Sequence, residues 1–209
     1  APAPRAGAGL AGACQDGRMA LWLTTDDEAN RLLDRDPFAL LVGMTLDQQY
    51  PMEHAFAGPK KIADRMGGFD IRAIAEADEA EFEQLCATPP AIHRYGRSMA
   101  RRIQQLAKVI VEQYDGDTAA IWTRDDPDAA EVFRRLKALP GWGEMKCKIF
   151  LALLAKQRGV RPDGWEQVAG VYAEESARRS VADVTGPESL QEVRAFKKAE
   201  KAAAKQAKG

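Results

Sequence analysis

A five-residue apolar turn, Leu139-Pro-Gly-Trp-Gly143, constrains this chain more than any other stretch, because helical periodicity runs both into it and out of it. Upstream, residues 128–138 set Ala129, Val132, Phe133 and Leu136 on one helical face, with Leu139 continuing the row. Downstream, Glu144 to Gln157 repeats the pattern with Met145, Ile149, Ala152 and Leu153. Two glycines one residue apart let the backbone turn tightly and bring its amides close to another molecule. The second helix opens at Gly143 or Glu144 with unpaired N–H groups and carries Lys146 and Lys148 in its first turns. Such an end attracts a phosphate.

The same periodicity extends over almost the whole chain. Thr25-x-x-Glu28 has the form of a capping box and predicts a helix to about Asp34; Asp36-Pro37 supplies an N-cap followed by proline at the first helical position. Residues 38–49 then form a strongly apolar helix. Pro51 forces an extended link at Tyr50, and a further helix is expected from about Met52 to Met66, closed by Gly67-Gly68. Two short helices over 70–75 and 78–86 stop at Thr88-Pro-Pro90. Arg97 to Tyr114 is amphipathic, with Ile103, Leu106, Ala107, Ile110 and Val111 on one side. Residues 168–179 and 187–205 are expected as C-terminal helices. No strand alternation and no long repeat is present, so the predicted fold class is all-α.

The formal charge is −1, from 30 Lys and Arg against 31 Asp and Glu, so no global electrostatic case exists for a polyanionic partner. The distribution is uneven. Residues 26–28 and 70–83 are acidic, whereas Arg94, Arg97, Arg101, Arg102 and Lys108 cluster and residues 194–208 are basic; solvated helix faces account for any one such run equally well. Cys14, Cys86 and Cys147 are odd in number and far apart, which argues against a disulfide framework and predicts a cytoplasmic location, at the nucleoid in a bacterium. His54 and His93, the two histidines, are not in a metal-binding spacing, so no metal site is expected. No apolar run approaches the roughly 20 residues that cross a bilayer. Residues 1–18 are expected to be a disordered lead, with Met19 a natural start.

The combination of motifs resembles the helix-hairpin-helix DNA glycosylase superfamily, in its endonuclease III-like branch, over roughly residues 38 to 170. The hairpin carries the likeness, joined by two other segments. Leu40 to Tyr50 is similar to the family's early helix that ends in a duplex-probing glutamine, Gln49 being the nearer match and Gln48 its neighbour. Tyr95 to Ile103 is similar to the helix after a short Gly/Tyr turn, although Met99 stands where a lysine is common. Counting from Leu139, the family's catalytic aspartate falls at Asp163, in Arg161-Pro-Asp-Gly-Trp165.

That resemblance implies a two-lobed helical fold: residues 19–44 packing with the C-terminal lobe, a helical barrel lobe over 45–157 that includes the helix-hairpin-helix at 128–157, and a catalytic loop with C-terminal helices over 158–209. It implies a monomeric base-excision enzyme acting on double-stranded DNA with a damaged base, gripped through Pro140, Gly141, Trp142, Gly143, Lys146 and Lys148 and probed by Gln48 and Gln49. Tyr50, His54 and Met145 would contribute to the base pocket. Asp163 would stabilise the positive charge that builds on deoxyribose as the glycosidic bond breaks. Relatives with a four-cysteine iron–sulfur loop place it after that aspartate; no cysteine follows Cys147, so this cofactor is not expected, whereas a monovalent cation at the hairpin is compatible with the reading. Bifunctional relatives place a Schiff-base lysine where this chain has Met145, and Lys146, one residue on, is turned about 100° from that direction. A monofunctional hydrolase is therefore expected. Other uses of these residues stay open: the glutamines as helix caps, Asp163-Gly164 as a plain turn, Trp142 packed under the hairpin. A non-catalytic DNA-binding protein is the chief alternative.

Overall fold

The computed structural model describes residues 20–175 and 177–206, which contain helices and turns and no strand. The expectations for residues 1–18 and Met19 lie outside the described residues. No helix among them is long and apolar enough to cross a membrane.

The first helix, α1 (Asp27–Arg35), is capped by Asp26, whose carboxylate accepts from the amides of Glu28 and Ala29. Thr25 is not the cap, a correction of one residue to the expected start. Asp36 then caps α2 (Pro37–Leu46) through the amides of Phe38 and Ala39. This helix is apolar on all sides and buried from Phe38 to Leu46, as a helix must be when no face can meet water. It ends at Asp47, short of the expected Gln49.

The long helix expected over 52–66 is two helices, α3 (Met52–Phe56) and α4 (Gly58–Met66), separated at Ala57 because Pro59 cannot continue the hydrogen-bond ladder of α3. Gly43 of α2 is where α3 comes closest, since a Cβ there would stand 2.5 Å from Phe56 Cδ1. The short helices α5 (Ile71–Glu76) and α6 (Glu79–Ala87) lie against α7 (Gly96–Tyr114), whose Ile103, Leu106, Ala107 and Ile110 are fully buried. A single unanticipated turn, α8 (Ala120–Thr123), precedes the pair α9 (Ala129–Lys137) and α10 (Glu144–Gln157).

After α10 the expected helix over 168–179 is absent. The chain forms α11 (Trp165–Ala169), a 3-10 turn at Gly170–Tyr172, an irregular link and a second 3-10 turn at Val181–Asp183. Asp183 explains the irregularity, since its carboxylate accepts from the amides of Arg179 and Ser180 and pairs with Lys156 of α10 at 2.7 Å. A buried carboxylate that satisfies backbone donors competes with helix formation there. The last helix, α12, is Pro187–Gln206. Arg158, at the end of α10, pairs with Asp34 of α1, so the N-terminal helix is tied to the C-terminal half, and one continuous buried cluster runs from Leu21 to Val193.

Candidate nucleic-acid interface

The hairpin forms where the sequence places it. Leu139 N–H bonds the Leu136 carbonyl and Trp142 N–H bonds the Leu139 carbonyl, and Gly141 takes φ +76°. A side chain at Gly141 would be strained and would meet Arg102 Cδ and Nε at 2.7 Å, so the glycine is what lets the Arg102 stem lie on the turn. Gly143 caps α10 without any side-chain bond to its first amides, and a Cβ there would meet nothing within 4 Å. The N-terminal amides of a 14-residue helix thus face open space.

Trp142 does not face outward. Its ring is 4% exposed, stands edge-on to Phe150 at 5.2 Å, and its indole N–H donates to Thr45 Oγ1 at 3.1 Å. The assignment of Trp142 to DNA contact is corrected: the indole roots the turn in the core. Lys146 is corrected in the same sense. Its ammonium turns inward to the end of α2, donating to the carbonyls of Met44 at 2.8 Å and Thr45 at 3.1 Å, which the helix leaves without intrahelical partners. Burial lowers its pKa from 10.5 to about 8, against the weaker raising effect of the Asp47 charge. Lys148 is held by Glu144 at 2.7 Å, and Pro140 is half-buried.

Beside the hairpin lies the turn 47–51. Gln48 and Gln49 are exposed, and Gln49 is left-handed at φ +54°, a conformation disfavoured for a glutamine. Two neighbours hold the turn. Arg102 Nη1 donates to Gln48 Oε1 at 3.0 Å, bridging the turn to the hairpin on which its stem rests. His93, 1% exposed, receives the Tyr95 amide on Nδ1 at 3.0 Å, which leaves Nε2–H to donate to the Gln48 carbonyl at 3.1 Å. Burial lowers the His93 pKa, in keeping with this neutral tautomer. Tyr50 stacks on the same ring at a centroid distance of 4.5 Å.

Between the hairpin and this turn opens a cleft of about 1390 Å³. Gln48, Gln49, Tyr50, Gly141, Gly143, Met145 and Lys146 all line it, so most of the sequence-derived site is brought together. His54 is exposed, 6.0 Å from the Tyr50 ring and not on the lining. Part of the lining is new. Tyr172, Arg179 and the α12 residues Phe196, Lys197, Lys198 and Lys201 also line the cleft. Six cationic residues line the space, Arg94, Lys146, Arg179, Lys197, Lys198 and Lys201, against two acids, Asp47 and Glu200. In a chain of net charge −1 this cleft is therefore locally cationic. The basic runs at 94–108 and 194–208 were visible in the sequence; their convergence was not.

Asp163 is not in this cleft. Its side chain is exposed, and its carbonyl accepts the Ala129 amide at 2.9 Å, at the N-terminal end of α9. The hairpin is at the other end of that helix, roughly 15 Å away at 1.5 Å per residue. The structure does not bring Asp163 to this cleft, because α10 carries the chain away from the hairpin before the Asp163 turn. Asp183 is committed to Lys156 near the same far end. The sheltered carboxylate of the cleft is Asp47, which caps the end of α2 with its side chain 13% exposed. Sequence reasoning passed over it as a residue preceding the two glutamines.

The family model described as HhH-GPD superfamily base excision DNA repair protein matches residues 42–207. No curated protein and no solved structure matches the chain. The matched span takes in the glutamine turn, the hairpin and all of α12, which together bound the cationic cleft, and the chain belongs to the HhH-GPD superfamily of base excision DNA repair proteins.

Proposed function

We propose that this chain is a monofunctional DNA glycosylase that removes a damaged base flipped out of duplex DNA into the cleft. One observation carries the reading: Gln49 stands at a left-handed position on a cleft large enough for a nucleobase, which the hairpin glycines Gly141 and Gly143 also line. Strained backbone of this kind persists where its surroundings hold it, and it clusters at functional sites. A base must leave the duplex stack before its glycosidic bond can be reached, and a residue beside the cleft can fill the gap.

In place of Asp163, Asp47 is the carboxylate of this proposal. Water attacks the sugar C1′ as the glycosidic bond breaks, the bonding pair leaves with the base, and Asp47 accepts the proton from water. Its charge also stabilises the oxocarbenium-like state. Met145 lines the cleft with a thioether, which forms no Schiff base, and the Lys146 amine is engaged by two carbonyls of α2. The product is then an unbroken abasic strand.

The test incubates the protein with duplexes carrying uracil, hypoxanthine, alkylated or oxidised purines and follows base release and strand breaks. Asp47→Asn should slow release by about 10² to 10³, the scale for losing one preorganised electrostatic group, while Asp163→Asn leaves it unchanged. The reverse pattern would return catalysis to Asp163, and a borohydride-trapped adduct would show amine chemistry. The distance of Asp163 from the cleft favours a second reading, a non-catalytic DNA-binding protein; duplex binding without release of any base in the panel would select it.

A further inference from the structure

The basic stripe of α12 has no counterpart among the sequence-derived contacts. Arg194, Lys197, Lys198, Lys201 and Lys205 recur at the three- and four-residue spacing that aligns side chains along one helix face. The helix is fixed mainly in its first half. Leu190 and Val193 are buried, Arg194 pairs with Glu53, and Lys197 reaches Asp47 at 3.9 Å. Glu53 is itself 11% exposed, and its second oxygen has no hydrogen-bond partner, so Arg194 is the cation that holds it. A space of about 180 Å³ lies under this segment, lined by Asp47, Tyr50, Glu53, Arg194 and Lys197, so the helix rests on the glutamine turn through charge more than through packing.

Beyond Lys197 the helix is exposed. Among the described residues Lys198, Lys201 and Lys205 make no ion pair, although the lysines stand close enough along the stripe to repel one another. Lys197, Lys198 and Lys201 nevertheless line the same cleft as Gly141 and Gly143, together with Arg179, whose guanidinium lies 5.1 Å from the Phe196 ring centre.

We propose that α12 is a second DNA-backbone contact, so that a phosphodiester strand runs between the hairpin amides on one side and Lys197, Lys198 and Lys201 on the other. The inference rests on the reading of the cleft as a DNA site and extends it to a surface that this reading does not need. A row of ammonium groups along a concave wall matches a linear polyanion. Beyond Arg194 the positions of α12 other than the lysines are five alanines, Glu200, Gln206 and Phe196, and Phe196 lines the cleft, so the helix offers no broad apolar face to anchor in a lipid surface, which favours nucleic acid over a membrane.

The experiment measures equilibrium binding of the full chain to an undamaged duplex across a salt series. The Lys197→Gln, Lys198→Gln, Lys201→Gln triple variant removes three phosphate contacts, and each is worth about 0.9 in the slope of log K against log salt. Between 50 and 200 mM salt the wild type should therefore lose about 40-fold more affinity than the triple variant. An Arg31→Gln, Lys108→Gln double variant, altered on surfaces away from the cleft, should keep the wild-type slope, and Lys→Arg replacements at the three α12 positions should restore it. Helix content by circular dichroism confirms that each variant is folded. A triple variant with the wild-type slope overturns the α12 contact and leaves the cleft reading standing. A wild type with no duplex affinity at low salt overturns both.

Discussion

Replacing Trp142 by phenylalanine should destabilise the protein without weakening its hold on DNA. Tryptophan buries on the order of 150–250 Å² in a core, and at about 25 cal/mol per Å² that is roughly 4–6 kcal/mol of transfer free energy. Trp142 is 4% exposed, so nearly all of that contribution is engaged. Phenylalanine keeps the edge-on contact with Phe150 and most of the buried area, and it loses the smaller ring and the N–H bond to Thr45. Thr45 still donates to the Leu41 carbonyl at 2.9 Å, so its hydroxyl is not orphaned. The expected loss is about 1–2 kcal/mol, from one hydrogen bond and a partial cavity, against about 3–5 kcal/mol for Trp142→Ala. Urea denaturation gives the stability change, and duplex affinity measured well below the unfolding transition should stay within about threefold of wild type. Unchanged stability with a tenfold or greater loss of affinity would mean that the indole meets the sugar-phosphate chain, and the inward geometry would be refuted.

Lys146 should make stability depend on alkaline pH. Its folded pKa, about 8, lies below the unfolded value of 10.5, so between these limits the unfolded chain binds more protons and stability rises with pH. At about 1.36 kcal/mol per unit the full rise is roughly 3 kcal/mol, and Lys146→Met, which has no ammonium to desolvate, should lack it; equal pH profiles for the two proteins would contradict the burial. Gln49→Gly should separate stability from function. Relieving the left-handed penalty, less the extra entropy glycine loses, raises stability by roughly 0.5–1 kcal/mol, while base release falls because no side chain enters the duplex; a thermal melt and a release assay on one preparation decide this, and unimpaired release would remove Gln49 from the site.

What the sequence made legible was local. The hairpin, the Asp36-Pro37 start and the limits of α10 follow from caps, prolines and periodicity within a few residues, and the structure places them as read. Asp163 lies away from the cleft for a reason of direction. A residue count from Leu139 carries no information on which way α10 points, and 14 helical residues carry the chain to the end opposite the hairpin. The rotation argument for Lys146 was sound as an angle, but the direction it gave away from Met145 leads to the carbonyl end of α2, distant in sequence. Residues 168–179 read as a helix, and only Lys156 and the buried Asp183 carboxylate explain why the chain before residue 180 does not form one. Of the cleft, one wall could be named from motifs and the other could not, because α12 reaches it through Glu53 and Asp47.

Trp142, Lys146 and Arg102 together have a geometric consequence. Each starts at or rests on the hairpin and ends on the last turn of α2 or on the glutamine turn after it: indole to Thr45, ammonium to Met44 and Thr45, guanidinium to Gln48. These three struts make the first turn of α10 and the Gln48-Gln49 turn parts of one caliper. In the proposed DNA complex a strand seated by its phosphate at the hairpin would present a nucleotide at a set offset to Gln49, whatever its sequence. Under that proposal, inspection along a duplex would be a matter of stepping the caliper by one phosphate at a time, each base reaching the gauge at the same distance from the grip.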